Sequence, residues 1–247
     1  SLDARVLGSF AEDGLTVEQV VFTSEPGLHV PTLVIKPDGM VGRTRCVVYV
    51  HEDGKSGDMD EARALARDGV IVIAVDLRGM GETRSAYAHR GDYYARYGVE
   101  TDLTYTSFML GQPLIGLRVR DIVRAVDYAV SRRDVDASAV SLHGVGIGGV
   151  MVLHAAALDV RVSSVVARNS LISYKSIALN EMYDYHVNVM VPGVIGRYDM
   201  CDLVAGIAPR PVRLVGALDQ RKTAAARDAV TAEYAVAQDA YGAYGVA

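Results

Sequence analysis

The sequence predicts an α/β fold, with a mostly parallel central sheet flanked by helices and an antiparallel hairpin in its N-terminal part. Its 247 residues are 50% hydrophobic and 22% charged, which is enough to build the core of one large domain. Short, continuous Val/Ile-rich runs are typical of strands that are buried on both faces. Helical patterns alternate with these runs, as α/β proteins require. We therefore expect residues 1–247 to form a single domain.

The strands are predicted in chain order. Two β-rich runs, 15–23 and 28–36, flank Pro26-Gly27 and predict the antiparallel hairpin. Five buried, continuous strands are then predicted at 45–50, 70–75, 139–142, 162–167 and 212–215.

Helices are predicted between and after these strands, at 60–68, 115–130, 148–158 and 223–241. Two long stretches, about 80–114 and 170–198, break the alternation, and each follows a strand end. Ligands bind at the carboxyl ends of strands in open α/β sheets, so both stretches are candidate pocket walls. The alternative is that they are insertions that only pack.

The most informative motif lies between a predicted strand and a predicted helix, where residues 144–148 read Gly-Val-Gly-Ile-Gly. The nucleophile elbow of serine hydrolases reads G-x-S-x-G at this place and holds its serine on a sharp, strained turn. Gly146 stands at the serine position and has no side chain with which to attack a carbonyl carbon. Glycine adopts a positive φ freely, whereas other residues pay about 1–3 kcal/mol. The motif predicts a retained turn and a lost nucleophile.

The same residues spell a dinucleotide-binding fingerprint, with glycines at 144, 146 and 149. That fingerprint normally follows the first strand of its sheet and is followed about 20 residues later by an acidic residue. Here several strands precede it, and Ala167-Arg168-Asn169 ends the next strand. Arg168 could favour a 2′-phosphate, so a nucleotide-binding enzyme stays open as a minor alternative.

A second candidate region is His51-Glu52-Asp53-Gly54, which follows the strand at 45–50. Backbone N–H groups of Glu52 and of Ile147 are the expected halves of an oxyanion hole. The carboxylates of Glu52 and Asp53 would oppose a developing negative charge there. His51 and Asp53 are pocket candidates. With Asp58 and Asp60 they could gather a cation, but their spacing fits no metal template.

Asp219 follows the strand at 212–215 and is the predicted acid of a catalytic triad, the alternative being an ordinary turn aspartate. The six histidines all precede it, so we expect that the final strand and histidine loop are lacking or that the histidine is gone. Arg78, in the turn that follows the strand at 70–75, and His186, in the second long stretch, complete the pocket candidates. The alternative for Arg78 is that it holds loops near the pocket.

Composition excludes several classes of function. A net charge of −5 and a pI near 5.7 argue against a nucleic-acid surface. No stretch approaches the ~18–20 apolar residues of a membrane span, no signal peptide is visible, and no cofactor is predicted. Cys46 and Cys201 are expected to be buried thiols, with a disulfide between them left open. Because the chain begins at Ser1, we expect it to be a processed product or part of a larger multidomain protein.

The chain resembles acetyl xylan esterase-like members of the α/β-hydrolase superfamily, near the dienelactone hydrolase and prolyl-oligopeptidase branches. The resemblance spans about residues 20–220 and rests on the helix at 115–130, the glycine elbow, and the segments VVFTSEPGLHVPTLVIKP, VVYVHEDGK, IAVDLRGMGET and APRPVRLVGALD. It implies ester hydrolysis, commonly deacetylation of plant polysaccharide, a carbohydrate or small ester ligand, and a secreted or periplasmic location. Working members would carry a serine at 146, an acid at 219 and a later histidine.

Three hypotheses follow. The first is a catalytically silent hydrolase-fold domain that binds a carbohydrate or a partner. The second is an active esterase seen as a Ser-to-Gly variant or a truncated form. The third is an enzyme of another class, such as a lyase or a nucleotide-dependent enzyme, that reuses the cleft without a serine.

Overall fold

A computed structural model describes residues 1–85 and 91–246, and the side chains of these residues except 91–97. Within that part of the chain, eight strands form one sheet in the order β1-β2-β3-β5-β4-β6-β7-β8. The strands are β1 (Arg5–Glu12), β2 (Leu15–Glu25), β3 (Leu28–Pro37), β4 (Thr44–His51), β5 (Ile71–Val75), β6 (Val135–Val145), β7 (Ser164–Arg168) and β8 (Val212–Val215).

The sheet has an antiparallel part and a parallel part. Strands β1, β2 and β3 pair antiparallel, and β3 joins β5 antiparallel. Strands β5, β4, β6, β7 and β8 are parallel. The predicted fold class and its N-terminal hairpin are confirmed. The sequence patterns missed β1, because seven of its eight residues are exposed and a strand without a buried face shows no alternation.

The helices are α1 (Met59–Arg67), α2 (Gly91–Met109), α3 (Leu114–Ser131), α4 (Ile147–Leu158), α5 (Tyr174–Ala178), α6 (Met200–Ile207), α7 (Arg227–Glu233) and α8 (Ala235–Ala243). The single helix predicted at 223–241 is instead two helices, and residue 224 makes a β-bridge to Leu218. Residues 86–90 of the first long stretch, including His89, lie outside the described residues, as does Ala247. Among the described residues, none of the helices has the length and apolar character that a transmembrane span requires.

Hydrophobic side chains cover both faces of the sheet. The larger core contains residues of α3, α4 and α6, such as Ile122, Met151 and Ile207, together with buried residues of β4 to β7. The smaller core lies on the face that α1 covers, through Ala62 and Ala66. Because β4, β5, β6, β7 and β8 are parallel, their carboxyl ends meet at one edge of the sheet, and the candidate site lies there.

Candidate functional site

The turn between β6 and α4 lies at the predicted nucleophile elbow. Gly146 has φ 62° and ψ −127° and precedes the first residue of α4. Its N–H donates to the carbonyl oxygen of Arg168 at 2.9 Å, which ties the turn to β7. A Cβ at Gly148 would collide with the carbonyl oxygen of Val50, so this flank must be small for α4 to begin so close to β4. The glycines therefore preserve a tight strand-to-helix turn.

The carboxylate of Glu52 occupies the space beside Gly146. A Cβ built on Gly146 would have the Cδ and both carboxylate oxygens of Glu52 within 2.7 Å. The N–H of Ile147 donates to Glu52 Oε2 at 3.3 Å. A carboxylate from the end of β4 thus stands where a side chain at position 146 would begin, and it accepts from the amide predicted for the oxyanion hole.

Two cavities meet at Glu52, which lines both of them. The larger, of about 580 Å³, is lined by His51, Glu52, Asp58, Val145, Gly146, Arg168, Asn169, Tyr185, Leu218 and Lys222. The smaller, of about 290 Å³, is lined by Glu52, Asp53, Gly79, Met80, Gly81, Arg84, Glu100, Arg118, Ile147, Met151 and Asn188. Residues of both long stretches that follow strand ends are among these lining residues.

Tyr185 is a lining residue of the larger cavity that the sequence reasoning missed. It is 5% exposed, and its hydroxyl is buried without a hydrogen-bond partner among the described residues. Lys222 Nζ lies 5.4 Å from the centroid of its ring. Burial raises the pKa of Tyr185, and the negative charges of Glu52 and Asp219 raise it further, so the hydroxyl keeps its proton. The tyrosine-rich composition of 170–198 was the available signal, but it did not single out one tyrosine.

A polar network lies beside the larger cavity. Arg168 Nη2 donates to Asp58 Oδ2 at 2.9 Å and to Glu61 Oε2 at 2.7 Å. The Tyr49 hydroxyl donates to the same Glu61 oxygen at 2.7 Å. His143 Nε2 is 3.6 Å from Glu61 Oε1, and burial lowers the pKa of His143, which favours the neutral ring. Arg168 Nη2 is therefore engaged by two carboxylates, which weakens the case for a 2′-phosphate partner at that nitrogen, whereas Arg168 Nε has no partner among the described residues.

Five predicted site residues come together at this edge of the sheet. Gly146, Ile147 and Glu52 form the elbow contact described above. His51 lines the larger cavity and Asp53 the smaller one. The Asp53 N–H donates to His51 Nδ1 at 3.1 Å, so these two residues form a local turn.

Two pocket candidates, Arg78 and His186, line neither cavity. Arg78 Nε donates to Asp121 Oδ2 at 2.9 Å and its Nη1 is 2.7 Å from Glu25 Oε2, so it joins the turn after β5 to α3 and β2. His186 Nε2 lies 2.8 Å from Thr101 Oγ1, which links the second long stretch to α2. Both side chains hold loops together, since their polar atoms are already bonded away from the cavities.

Asp219 lies in the turn after β8, as predicted for the acid position. Its Oδ1 accepts from the N–H groups of Arg221 at 2.8 Å and Thr223 at 2.9 Å. Within residues 1–85 and 91–246 no histidine forms a hydrogen bond or ion pair with Asp219. Its role as a triad acid stays a prediction.

The described residues contain no group of three or more His, Cys, Asp or Glu side chains arranged to hold a metal ion. In particular, Asp58 caps α1 by accepting from the Glu61 N–H and also binds Arg168.

The mostly parallel sheet, the antiparallel N-terminal hairpin and the flanking helices define an α/β-hydrolase fold. A family model for acetyl xylan esterase (AXE1) matches residues 9–184, and the chain belongs to this family. The Bacillus subtilis (strain 168) protein "Putative hydrolase YtaP" is 26% identical over 220 residues, covering 86% of this chain and 73% of that protein.

Solved structures agree on the fold. A "putative acetyl xylan esterase" from Bacteroides fragilis NCTC 9343 superposes with a TM-score of 0.79 at 16% identity, over 96% of this chain and 68% of that one. Acetyl xylan esterase from Paenibacillus sp. R4 superposes with a TM-score of 0.67 at 19% identity, over 98% of this chain and 79% of that one.

Proposed function

We propose that this member of the acetyl xylan esterase family binds a carbohydrate or a small ester in the cleft at Glu52 and does not hydrolyse it by serine chemistry. The observation that carries the proposal is the Glu52 carboxylate, which fills the space beside Gly146 and accepts from the Ile147 N–H.

The first argument concerns the nucleophile. A serine hydrolase needs a hydroxyl at the elbow and a histidine that removes its proton. Position 146 supplies no hydroxyl, and His51, which lines the adjacent cavity, has its Nδ1 bonded to the Asp53 N–H. A triad whose members act as a unit loses nearly all of its rate when one is missing.

The second argument concerns the oxyanion. Two like charges 4 Å apart repel by about 1 kcal/mol in water and about 4 kcal/mol near a protein surface. An oxyanion at the Ile147 amide would meet the Glu52 carboxylate at close range. Such a repulsion slows a reaction between about fivefold and a thousandfold. The carboxylate therefore opposes ester hydrolysis even if another group supplied the attacking atom.

The third argument concerns binding. The larger cavity combines hydrogen-bond donors from Arg168 and Lys222 with acceptors from Glu52 and Asn169. Sugar hydroxyls both donate and accept, and they suit a wall of this kind. The family model that matches this chain describes acetyl xylan esterases, and the structural neighbour from Paenibacillus sp. R4 is an acetyl xylan esterase. Acetylated xylan fragments are therefore the first ligands to test.

The decisive experiment measures p-nitrophenyl acetate turnover and xylo-oligosaccharide binding on the same protein. We expect release of p-nitrophenol that rises linearly with substrate and never saturates, together with measurable binding of acetylated xylotriose by calorimetry. Glu52→Gln should change binding, whereas Glu181→Gln, at an exposed glutamate outside both cavities, should not. Saturable turnover that Glu52→Gln or Tyr185→Phe abolishes would refute the proposal.

The preserved elbow at Gly146 favours a second candidate, an esterase that becomes active when a serine is restored. Gly146→Ser alone would place its side chain against Glu52, so the informative protein is Gly146→Ser combined with Glu52→Ala. We expect no turnover from it, because the described residues supply no histidine to Asp219. Turnover by the double variant, absent from Glu52→Ala alone, would establish the active esterase.

The nucleotide-binding alternative has a separate test. The Ile147 amide that a pyrophosphate would use already binds Glu52, and Arg168 Nη2 is engaged by two carboxylates. NAD and NADP should therefore leave the melting temperature unchanged.

A further inference from the structure

The larger cavity contains hydrogen-bond donors that no described residue satisfies. The Tyr185 hydroxyl and Arg168 Nε are buried without a partner. Lys222 is an exposed residue whose Nζ lies over the Tyr185 ring and forms no ion pair or hydrogen bond with the described residues. All three residues line the same cavity.

Such a set of donors calls for an acceptor. Leaving a buried donor unpaired costs about 1–3 kcal/mol, so a ligand oxygen that satisfies it gains affinity. Arginine and lysine donate and never accept. Tyr185 donates as well, because its raised pKa keeps it protonated beside Glu52 and Asp219. Three hydrogen-bond donors on one wall of the cavity are complementary to a ligand group that only accepts hydrogen bonds, and a carboxylate is such a group.

The carboxylates around the cavity already have partners. Asp58 and Glu61 both pair with Arg168 Nη2, Asp219 accepts from the N–H groups of Arg221 and Thr223, and Glu52 Oε2 accepts from the Ile147 N–H. Glu52 Oε1 has no hydrogen-bond partner among the described residues, so it is free to accept from a hydroxyl. The cavity thus offers donors for a carboxylate and one acceptor for a neighbouring hydroxyl.

We propose that the larger cavity recognises a uronic acid, with its carboxylate at Tyr185, Arg168 and Lys222 and an adjacent hydroxyl at Glu52. This inference rests on the proposed binding function and names the class of sugar. It makes Tyr185 and Lys222 specificity-determining residues, whereas the pocket candidates predicted from the sequence were His51, Asp53, Arg78 and His186.

The test compares D-glucuronate with D-glucuronamide, a neutral ligand of the same shape, by isothermal titration calorimetry. Glucuronate should bind about tenfold more tightly, since hydrogen bonds to a charged group are worth more than neutral ones. This preference should weaken as salt is raised. Lys222→Gln and Tyr185→Phe should each remove most of it, while the matched controls Lys175→Gln and Tyr183→Phe, at exposed residues outside the cavity, should keep it.

Equal affinity for the acid and the amide, no binding of glucuronate, or a preference that survives both cavity variants would overturn the inference. The proposed function fails differently, through saturable ester turnover or through loss of binding to all sugars. Binding of acetylated xylotriose without preference for glucuronate would therefore refute the uronic acid alone.

Discussion

Substituting Gly146 by alanine should destabilise the protein through two separable effects. The first is backbone strain, because φ 62° and ψ −127° is a conformation that L side chains rarely adopt. The second is displacement of the Glu52 carboxylate, which would lie within 2.7 Å of the new methyl group and would have to leave the Ile147 N–H.

The two effects have different magnitudes. Residues held in sparsely populated backbone regions cost about 1–3 kcal/mol. An exposed hydrogen bond of 3.3 Å contributes at the low end of the usual range, about 0.5–1 kcal/mol. We therefore expect Gly146→Ala to lower the free energy of unfolding by about 1.5–4 kcal/mol, of which about 0.5–1 kcal/mol disappears when Glu52 is also alanine.

The assay is urea denaturation followed by circular dichroism for Gly146→Ala, Glu52→Ala and the double variant, read as changes in the midpoint at constant slope. Gly14→Ala is the matched control, since Gly14 has φ 75° and a Cβ there would meet nothing within 4 Å. It measures the cost of positive φ without a displaced neighbour. Equal costs of Gly146→Ala in both backgrounds would refute the claim that Glu52 fills the elbow, and a cost below about 0.5 kcal/mol would refute the strained turn.

Three further predictions concern the frame around the site. Asp121→Ala should cost about 1.5–3 kcal/mol in the same assay, because the half-buried Arg78 guanidinium loses its charged hydrogen bonds to Asp121 and keeps Glu25 as its remaining carboxylate partner; a loss below 1 kcal/mol would contradict this. Burial lowers the pKa of His154 below its ordinary 6.5, so the unfolded state takes up a proton first and the melting temperature should fall as pH drops below about 6.5. His154→Gln should flatten that decline, and an unchanged slope would show that other groups cause it. Burial raises the pKa of Cys46 to about 12, so its thiol should react with Ellman's reagent at pH 8 only after unfolding, and labelling of Cys46 in the native protein would count against the core described above.

Much of the fold follows from local sequence patterns, because a buried segment must be apolar and its apolar residues are visible in the sequence. Strands buried on both faces need continuous apolar runs, and those at 45–50 and 70–75 lie within or almost within β4 and β5. The apolar stripe of 115–130 lies on α3, whose bounds differ by one residue at each end. Strand β1 shows no apolar pattern in the sequence, since an exposed edge strand needs no apolar face.

The site was predictable only in part. Gly146 marked the predicted elbow because a tight turn demands backbone angles that favour glycine, and a glycine is visible in the sequence. The backbone of Glu52 was predicted to form half of an oxyanion hole and its carboxylate to oppose negative charge there, but nothing in the sequence indicated that this carboxylate fills the space beside Gly146. The Glu52 side chain proved to be the important group, and no local pattern states which side chain fills a space on another strand.

The amino-acid sequence by itself thus determined the fold class, the order of the strands from β2 to β8 along the chain and the absence of a hydroxyl at position 146. These are properties of short segments, set by hydrophobic burial and backbone conformation. The tertiary structure alone decided that β4 lies beside β6, which brings Glu52 onto the Ile147 amide and groups Tyr185, Arg168 and Lys222 around one cavity. These contacts depend on the pairing of distant strands, because the residues involved lie up to about 170 positions apart in the chain. A local sequence pattern carries no information about contacts at that separation.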